Sequence, residues 1–153
     1  MLIPSPAEFA QALPTHSRLL GLDVGSKTIG LALSDIGRSI ASPLLTIERT
    51  KLAKDIETLQ KIIAVHNVGG LVIGYPVNMD GSLGPRTQST RTFASSLGKH
   101  IALPMLLWDE RMSTLAVERA MLEADLSRAR RAQLVDKLAA SYMLQGFLDS
   151  IKT

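Results

Sequence analysis

The chain has 153 residues, no cysteine, a net charge of +3 and an apolar content of 46%. A chain of this length and composition is expected to fold as one domain around a real core, and disulfides and thiolate metal sites are excluded. No apolar run approaches the roughly 20 residues that span a bilayer, and the N-terminal stretch lacks the basic region of a signal peptide. We therefore expect a cytoplasmic protein with no membrane partner.

The excess of basic residues is modest. It fits a polyanionic partner, and it fits ordinary solvated lysines and arginines equally well. The aromatic content of 4% argues against the base-stacking platforms of single-strand binding proteins. Charge and composition therefore leave the class of partner open.

The first predicted element is a short surface helix within residues 1–16, an extension that precedes a single domain over residues 17–153. Ser5 is placed to cap this helix, Pro6 suits its first position, and Glu8 completes a capping box. The extension is thus expected to be ordered locally, by its own capping residues.

Three strands are predicted next. The segments "RLLGLDV" and "TIGLALSD" are joined by a hairpin turn at Gly25 and Ser26. The third segment, "SIASPLLTIE", contains Pro43, which favours an edge position because proline has no amide hydrogen for a central ladder. The segment "KLAKDIETLQKIIAVH" then predicts an amphipathic helix. Its apolar stripe comprises Leu52, Ile56, Leu59 and Ile63, and Lys51, Lys54, Asp55 and Lys61 fall outside the stripe.

The rest of the chain alternates between strands and helices. "GGLVIGYP" predicts a strand buried on both faces, hence central and parallel. After a polar, glycine-rich loop, a helix is expected over about Arg86–His100, and "LPMLLWDE" predicts another buried strand. Two helices close the chain, near Ser113–Ala124 and Gln133–Ile151. This order predicts an α/β fold with a mixed five-stranded sheet flanked by helices on both faces.

Three carboxylates occupy positions that a purely structural design would not choose. Asp23 ends the first strand, Glu110 follows the end of the last strand, and Asp136 lies at the start of the last helix. Carboxylates from separate elements that converge at one sheet edge are able to hold Mg²⁺, which prefers hard oxygen ligands. Two such ions would activate a water and stabilise the leaving oxygen in phosphodiester hydrolysis.

The position of Asp136 can be examined by helical spacing. At 100° per residue it shares a helical face with Ala140, Met143 and Phe147, and this face is expected to pack on the sheet. A charge turned toward a core is costly unless it is paired or binds a metal. The pattern therefore favours a metal ligand at Asp136.

Each acid also has a structural explanation that the residues alone leave open. Asp23 at the start of a turn, Glu110 paired with a neighbouring arginine, and Asp136 complementing the dipole of a first helical turn would need no metal. Asp35 is expected to cap a turn after the second strand, and Asp109 is expected to support a ligand rather than to bind the metal.

Four segments match one family in its order: "LDVGSKTIGLALSD", "VIGYPVNMDGSLGPRTQSTRTFASSL", "WDERMST" and "VDKLAASYMLQGFL". On these motifs the chain resembles the YqgF family of pre-16S rRNA nucleases and Holliday junction resolvase-like proteins, in the RNase H-like superfamily. The matching segments cover most of Leu19 to Leu148 and leave the first sixteen residues outside.

The resemblance implies an RNase H-like fold and an acidic site in which Asp23, Glu110 and Asp136 are both the catalytic residues and the ligands of Mg²⁺ or Mn²⁺. It also implies an endonuclease that matures the 5′ end of the small-subunit (16S) rRNA precursor. The implied partners are precursor rRNA, the ribosomal small subunit or branched DNA, and the oligomeric state stays open between a monomer and a homodimer.

Basic and polar residues of the motifs are placed to bind a phosphate backbone. Lys27 follows the hairpin turn, Arg111 follows the acidic pair, and a basic stretch precedes the last helix. For each of these residues a solvated or loop-shaping role is about equally compatible with the sequence. The candidate substrate-binding residues are Lys27, Asn78, Arg86, Arg111, Arg128, Arg130 and Arg131.

Three other functions remain open. A DNA junction resolvase would use the same metal chemistry on a different nucleic acid. A non-catalytic RNA-binding or ribosome-assembly module would keep the fold without cleavage. An ATP-binding domain of the actin type also starts with an Asp-x-Gly hairpin, but it needs two related domains, and this chain has room for one.

Overall fold

The computed structural model of the protein describes residues 1–75, 84–109 and 128–151. The strands and helices expected in these ranges are present, and the helix expected near Ser113–Ala124 lies outside the described residues. In chain order the elements are α1 (Pro6–Ala12), β1 (Arg18–Val24), β2 (Thr28–Ser34), β3 (Ala41–Glu48), α2 (Leu52–His66), β4 (Val68–Tyr75), α3 (Pro85–Gly98), β5 (Met105–Asp109) and α4 (Arg128–Ser150).

The five described strands form one mixed sheet in the order β3-β2-β1-β4-β5. The β1–β2 and β2–β3 pairs are antiparallel, whereas β1–β4 and β4–β5 are parallel. Pro43 lies in the edge strand β3, opposite Ala32, where the register shifts. The central strand β4 is buried along nearly its whole length. The predictions of an edge strand at Pro43 and of a central parallel strand are therefore confirmed.

Side chains alternate across a strand, and this alternation divides the core into two layers. Leu20 and Leu22 of β1 belong to a cluster with residues of α2 and α3, such as Leu59 and Phe93. Leu19 belongs to a second cluster with residues of α1 and α4. We call these sides of the sheet the α2/α3 face and the α1/α4 face. The prediction of helices on both faces is confirmed.

The N-terminal helix α1 is more than a surface helix. The Ser5 hydroxyl accepts a hydrogen bond from the Glu8 amide at 3.1 Å, as expected of an N-cap. Phe9, however, is completely buried and meets the ring of Phe147 edge-on at 5.5 Å. The Ile3 amide also donates to the carbonyl of Met105 at 2.8 Å, so the chain before α1 covers the open edge of β5. The prediction of a surface helix overlooked the buried phenylalanine.

Two details of α2 also differ from the sequence pattern. Leu52 was placed in the apolar stripe, but it is the first residue of the helix and stays 42% exposed. Asp55 was placed outside the stripe, but it is only 3% exposed. Its carboxylate accepts hydrogen bonds from the amide and hydroxyl of Thr50, at 3.1 Å and 2.8 Å. Asp55 is thus buried as a satisfied acceptor that fixes the start of α2.

The last helix begins earlier than predicted. Arg128 is its first residue, so the arginine-rich stretch that was expected to be a loop before Gln133 is helical instead. Arginine, alanine and glutamine are good helix formers, and they continue the helix toward its N-terminus. No described helix is both long and apolar enough to cross a membrane.

Candidate functional site

Asp23 lies near the carboxyl end of β1, where it pairs with Gly30 of β2. Its side chain is half-buried. Leu20 and Leu22 face α2 and α3, whereas Leu19 faces α4, so the period of two places Asp23 on the α1/α4 face. The candidate acid therefore stands on the side of the sheet that the last helix covers.

The backbone of β1 lies directly against α4 at Gly21. A Cβ atom built on Gly21 would lie 3.0 Å from Cβ of Leu144 and 3.4 Å from the carbonyl oxygen of Ala140. A side chain at this position would therefore push the helix away from the strand. Gly21 is two residues before Asp23 on the same face, so this close approach fixes the distance between α4 and the end of β1.

The direction of α4 relative to β1 follows from the hydrogen bonds of Gln145. The side chain of Gln145 accepts from the amide of Ala41 at 2.8 Å and donates to the carbonyl of Ser39 at 3.0 Å. Ala41 pairs with Ser34, at the end of the sheet where β1 begins. Since the residues before Gln145 reach Gly21, α4 runs antiparallel to β1, and its N-terminal half extends toward the end of β1 that carries Asp23.

Asp136 lies within α4 rather than at its start, and the first turn of the helix contains no acid. The prediction that Asp136 lies at the start of the last helix is therefore wrong. The alternative that Asp136 complements the dipole of the first helical turn is wrong for the same reason. The prediction that the face with Ala140, Met143 and Phe147 packs on the sheet is confirmed, because all three are buried. Asp136 precedes Ala140 by one turn, and its side chain lies outside the described residues.

The remaining predicted residues are only partly described. Lys27 is exposed in the β1–β2 turn. The helical backbone holds Arg86 near the start of α3, and Arg128, Arg130 and Arg131 in the first turn of α4, but their side chains are outside the description. The positions predicted on residues that are not described at all are Glu110, Asn78 and Arg111. Within residues 1–75, 84–109 and 128–151, no three acidic or histidine side chains are grouped as a metal site.

Asp109 is separated from Asp23 by the sheet. It is the last residue of β5 and pairs with Tyr75 of β4. Met105 and Leu107, four and two residues before it, pack on the α2/α3 face, whereas Trp108 packs on the α1/α4 face. Asp109 is therefore on the opposite face from Asp23, and its expected supporting role stays a prediction.

Sequence reasoning missed Arg49, which lies just beyond β3. Its guanidinium donates to the carbonyl of Gly25 at 2.7 Å, and its backbone amide donates to the carbonyl of Lys27 at 2.8 Å. The same guanidinium lies over the ring of Phe93, 5.2 Å from the centroid. Arg49 thus ties the β1–β2 turn to β3 and α3, although no motif in the sequence connects residues so far apart.

Comparisons with known proteins point to one family. A family model described as "RuvX: Holliday junction resolvase" matches residues 17–150. A relative from Rhodobacter capsulatus, named "Putative pre-16S rRNA nuclease", is 57% identical over 151 residues, which are 99% of this chain and 95% of the relative. One of the same name from Paramagnetospirillum magneticum is 57% identical over 150 residues, covering 98% of this chain and 97% of the relative.

Among solved structures, RuvC from Thermus thermophilus, in complex with a Holliday junction substrate, superposes with a TM-score of 0.54 at 14% identity, over 90% of this chain and 98% of that chain. The yeast mitochondrial Holliday junction resolvase Ydc2 gives 0.51 at 13% identity, over 92% of this chain and 81% of that chain. These likenesses confirm the RNase H-like fold. The family model and the relatives together confirm the resemblance noted in the sequence, and the chain belongs to the RuvX family.

Proposed function

We propose that the protein is a metal-dependent endonuclease that hydrolyses phosphodiester bonds of structured RNA, and that its reaction is the maturation of the 5′ end of the 16S rRNA precursor. The name of the relatives supports this substrate. The observation that carries the proposal is the position of Asp23 at the carboxyl end of β1, on the face where α4 approaches the strand closely. Catalytic sites of open α/β sheets lie at this end of the parallel strands.

The path of α4 supports Asp136 as the second ligand. From Gly21 to Asp23 the strand advances by about 6.6 Å, and one helical turn from Ala140 to Asp136 advances by about 6 Å. Because α4 runs antiparallel to β1 and touches it at Ala140 and Gly21, both steps lead in the same direction. We infer that the backbone of Asp136 lies over Asp23.

Glu110 is proposed as the third ligand. It directly follows Asp109, so peptide geometry keeps its Cα about 3.8 Å from that of Asp109. Since β1 and β5 are both parallel to β4, the end of β5 and the end of β1 lie at the same edge of the sheet. Asp109 itself is on the α2/α3 face. If the alternation of the strand continues by one residue, Glu110 would lie on the same face as Asp23.

The three proposed ligands fit a hard divalent cation, because all are carboxylates. Mg²⁺ or Mn²⁺, when bound, would polarise the scissile phosphate and activate the attacking water. The chain's own residues would do the rest. Asp23, Glu110 and Asp136 would hold the ion at the sheet edge, Lys27 would bind a phosphate beside the turn, and the arginines that begin α4 would supply further positive charge.

A DNA junction is the second candidate substrate, and the description of the family model favours it. The chemistry at the acids would be the same, so the two substrates are separated by experiment. We would incubate the purified protein with precursor 16S rRNA and with a four-way DNA junction, each with Mg²⁺, with Mn²⁺ and with a chelator. The proposal expects cleavage of the RNA at its 5′ processing site, dependent on the metal.

Asp23→Asn is the decisive variant, and Asp35→Asn is its matched control, since both remove one carboxylate from the same hairpin. We expect Asp23→Asn to lower the cleavage rate by about 100-fold or more, the scale of losing one electrostatic group of an active site, and Asp35→Asn to leave the rate unchanged. A folded wild type that cleaves neither substrate would leave a non-catalytic RNA-binding role as the better account. Cleavage of the junction alone would make the protein a DNA resolvase.

A further inference from the structure

The β1–β2 turn departs from an ordinary hairpin in the way its carbonyls are used. The Gly25 amide donates to the carbonyl of Thr28 at 2.8 Å and closes the turn. In such a turn the carbonyl of the first residue usually accepts from the amide of the fourth. Here the carbonyl of Gly25 accepts from the guanidinium of Arg49 instead, at 2.7 Å. The turn is thus held by a side chain from outside the hairpin.

Arg49 holds a second carbonyl of the same turn, because its backbone amide donates to Lys27. In a trans peptide the carbonyl and the amide hydrogen point in opposite directions, and the described residues contain no cis peptide. The bond from Arg49 to Gly25 therefore sets the direction of the Ser26 amide, which points away from Arg49. Within the described part of the chain, the amides of Ser26 and Lys27 meet no hydrogen-bond acceptor.

The guanidinium of Arg49 is itself held in a fixed orientation. It is half-buried and stacks on Phe93, whose side chain is only 4% exposed. Among the described residues the ion pair is Lys61 with Glu57, so Arg49 has no carboxylate partner there. A guanidinium that pairs with no described carboxylate, in a turn whose Ser26 and Lys27 amides meet no described acceptor, makes this end of the hairpin electropositive and favours an anion there.

We propose that Arg49 is a positioning residue, which fixes the direction of the Ser26 amide so that this amide, together with Lys27, binds a phosphate of the substrate three to four residues beyond Asp23. A backbone amide without an acceptor is a donor for an anion, and the exposed Lys27 ammonium would add a charge-assisted bond. This inference rests on the proposed function, because the phosphate that it places would be one of the nucleic-acid backbone.

The test is a titration of the protein with inorganic phosphate, without metal, followed in amide nuclear magnetic resonance spectra. In the wild type we expect the Ser26 and Lys27 amide resonances to shift on binding. In Arg49→Met, which keeps an aliphatic side chain over Phe93 but has no donors, we expect the dissociation constant for phosphate to rise by about tenfold. In Arg49→Lys, which restores the charge and one donor, we expect an intermediate value.

Arg91→Met is the matched control. Arg91 also stacks on an aromatic ring, that of Tyr75 at 5.6 Å, so its replacement removes the same charge and the same kind of contact elsewhere. Phosphate binding at the turn should then stay within twofold of the wild type. Dispersed amide spectra show whether each variant is folded. Should Arg49→Met fail to fold, Arg49→Lys decides the question, since binding equal to that of the wild type contradicts the proposal.

The proposal is overturned by two results: no shift of Ser26 and Lys27 in the wild type, or equal affinity in the wild type and Arg49→Met. Its failure is distinct from failure of the nuclease assignment, because the titration requires neither metal nor cleavage. A protein that binds phosphate at the turn but cleaves no nucleic acid would keep this inference and lose the proposed reaction. Cleavage without phosphate binding at the turn would keep the proposed reaction and overturn this inference.

Discussion

At one end of the β1–β2 hairpin lies Asp35, and at the other lies Asp23. Asp35 follows β2, and its carboxylate accepts hydrogen bonds from the amides of Ser39 and Ile40, at 2.8 Å and 2.9 Å. Nearby, the guanidinium of Arg38 donates to the carbonyls of Pro14 and Ser17. At this end the polar side chains are used to hold backbone segments together.

The end that carries Asp23 is arranged differently. Its turn exposes Lys27, and the amides of Ser26 and Lys27 have no acceptor within the described residues. Arg49 donates hydrogen bonds to the carbonyls of Gly25 and Lys27 in this turn. The Arg49 side chain thus fixes the turn through its carbonyls, and the Ser26 amide points away from it.

The comparison shows that an acid at the end of a strand is not by itself a sign of function. Asp35 and Asp23 have similar sequence contexts, since each lies at or just after the end of an apolar strand and two residues before a glycine. What separates them is the chain after the acid. After Asp35 it folds back and donates amides to the carboxylate, which satisfies the charge locally. Asp23 instead faces a helix from the far end of the chain.

The largest effect on this comparison is expected from Gly21→Ala. The added Cβ would press on Leu144 and on the carbonyl of Ala140, and overpacking of this kind costs about 1–3 kcal/mol of unfolding free energy. Because α4 would have to move away from β1, we expect the cleavage rate to fall as well. Chemical denaturation and the precursor cleavage assay measure the two effects.

Gly98→Ala is the control for that substitution. A Cβ at Gly98 would lie 3.1 Å from Cε of Met105, the far end of a flexible side chain that can move aside. We expect unfolding free energy and cleavage to stay close to the wild type. If Gly21→Ala changes unfolding free energy and cleavage as little as Gly98→Ala does, the close packing of α4 on β1 at Gly21 is not what places Asp136 near Asp23.

Local patterns were sufficient to predict much of the fold. Pro43 marked the edge strand, the continuous apolar run of β4 marked the central strand, and Asp35 was assigned to its turn. Each of these depends on residues within a few positions of one another. The period of the last helix also identified the buried face of Ala140, Met143 and Phe147, because helical spacing is a local property.

The missed features depend on partners that are distant in the sequence. Arg49 binds the carbonyl of Gly25, and a backbone carbonyl has no signature in the residue type. The burial of Asp55 depends on Thr50 and on the packing of α2, which overrides its polarity. For the candidate site, the sequence correctly predicted the buried face of α4, whereas the catalytic role of Asp23 stays a prediction. The roles of Glu110, Asn78 and Arg111 stay predictions.

A smaller effect is expected from Arg38→Met, at the end of the hairpin that carries Asp35. The substitution removes the hydrogen bonds to Ser17 and Pro14 while retaining an aliphatic side chain. We expect unfolding free energy to fall by about 1–2 kcal/mol, with cleavage of the precursor unchanged. Arg18→Met, which removes one hydrogen bond to the carbonyl of His66, should cost less. A loss of cleavage in folded Arg38→Met would show that the two ends are not independent.

The smallest effect, and the one most specific to this comparison, concerns the pH dependence of Asp35. The amides of Ile40 and then Ser39 donate to its carboxylate and lower the pKa of Asp35 below the ordinary value of 3.8. Because the folded state favours the charged form, this contribution to stability is present above that value and is lost as the pH falls through the folded pKa. Asp35→Asn keeps an acceptor oxygen at this position but removes the charge, and with it the pH-dependent contribution. The difference in unfolding free energy between wild type and variant should therefore be constant near neutral pH and shrink as the pH falls through the folded pKa of Asp35. A difference that persists in acid would mean that the carboxylate's charge is not what holds the turn.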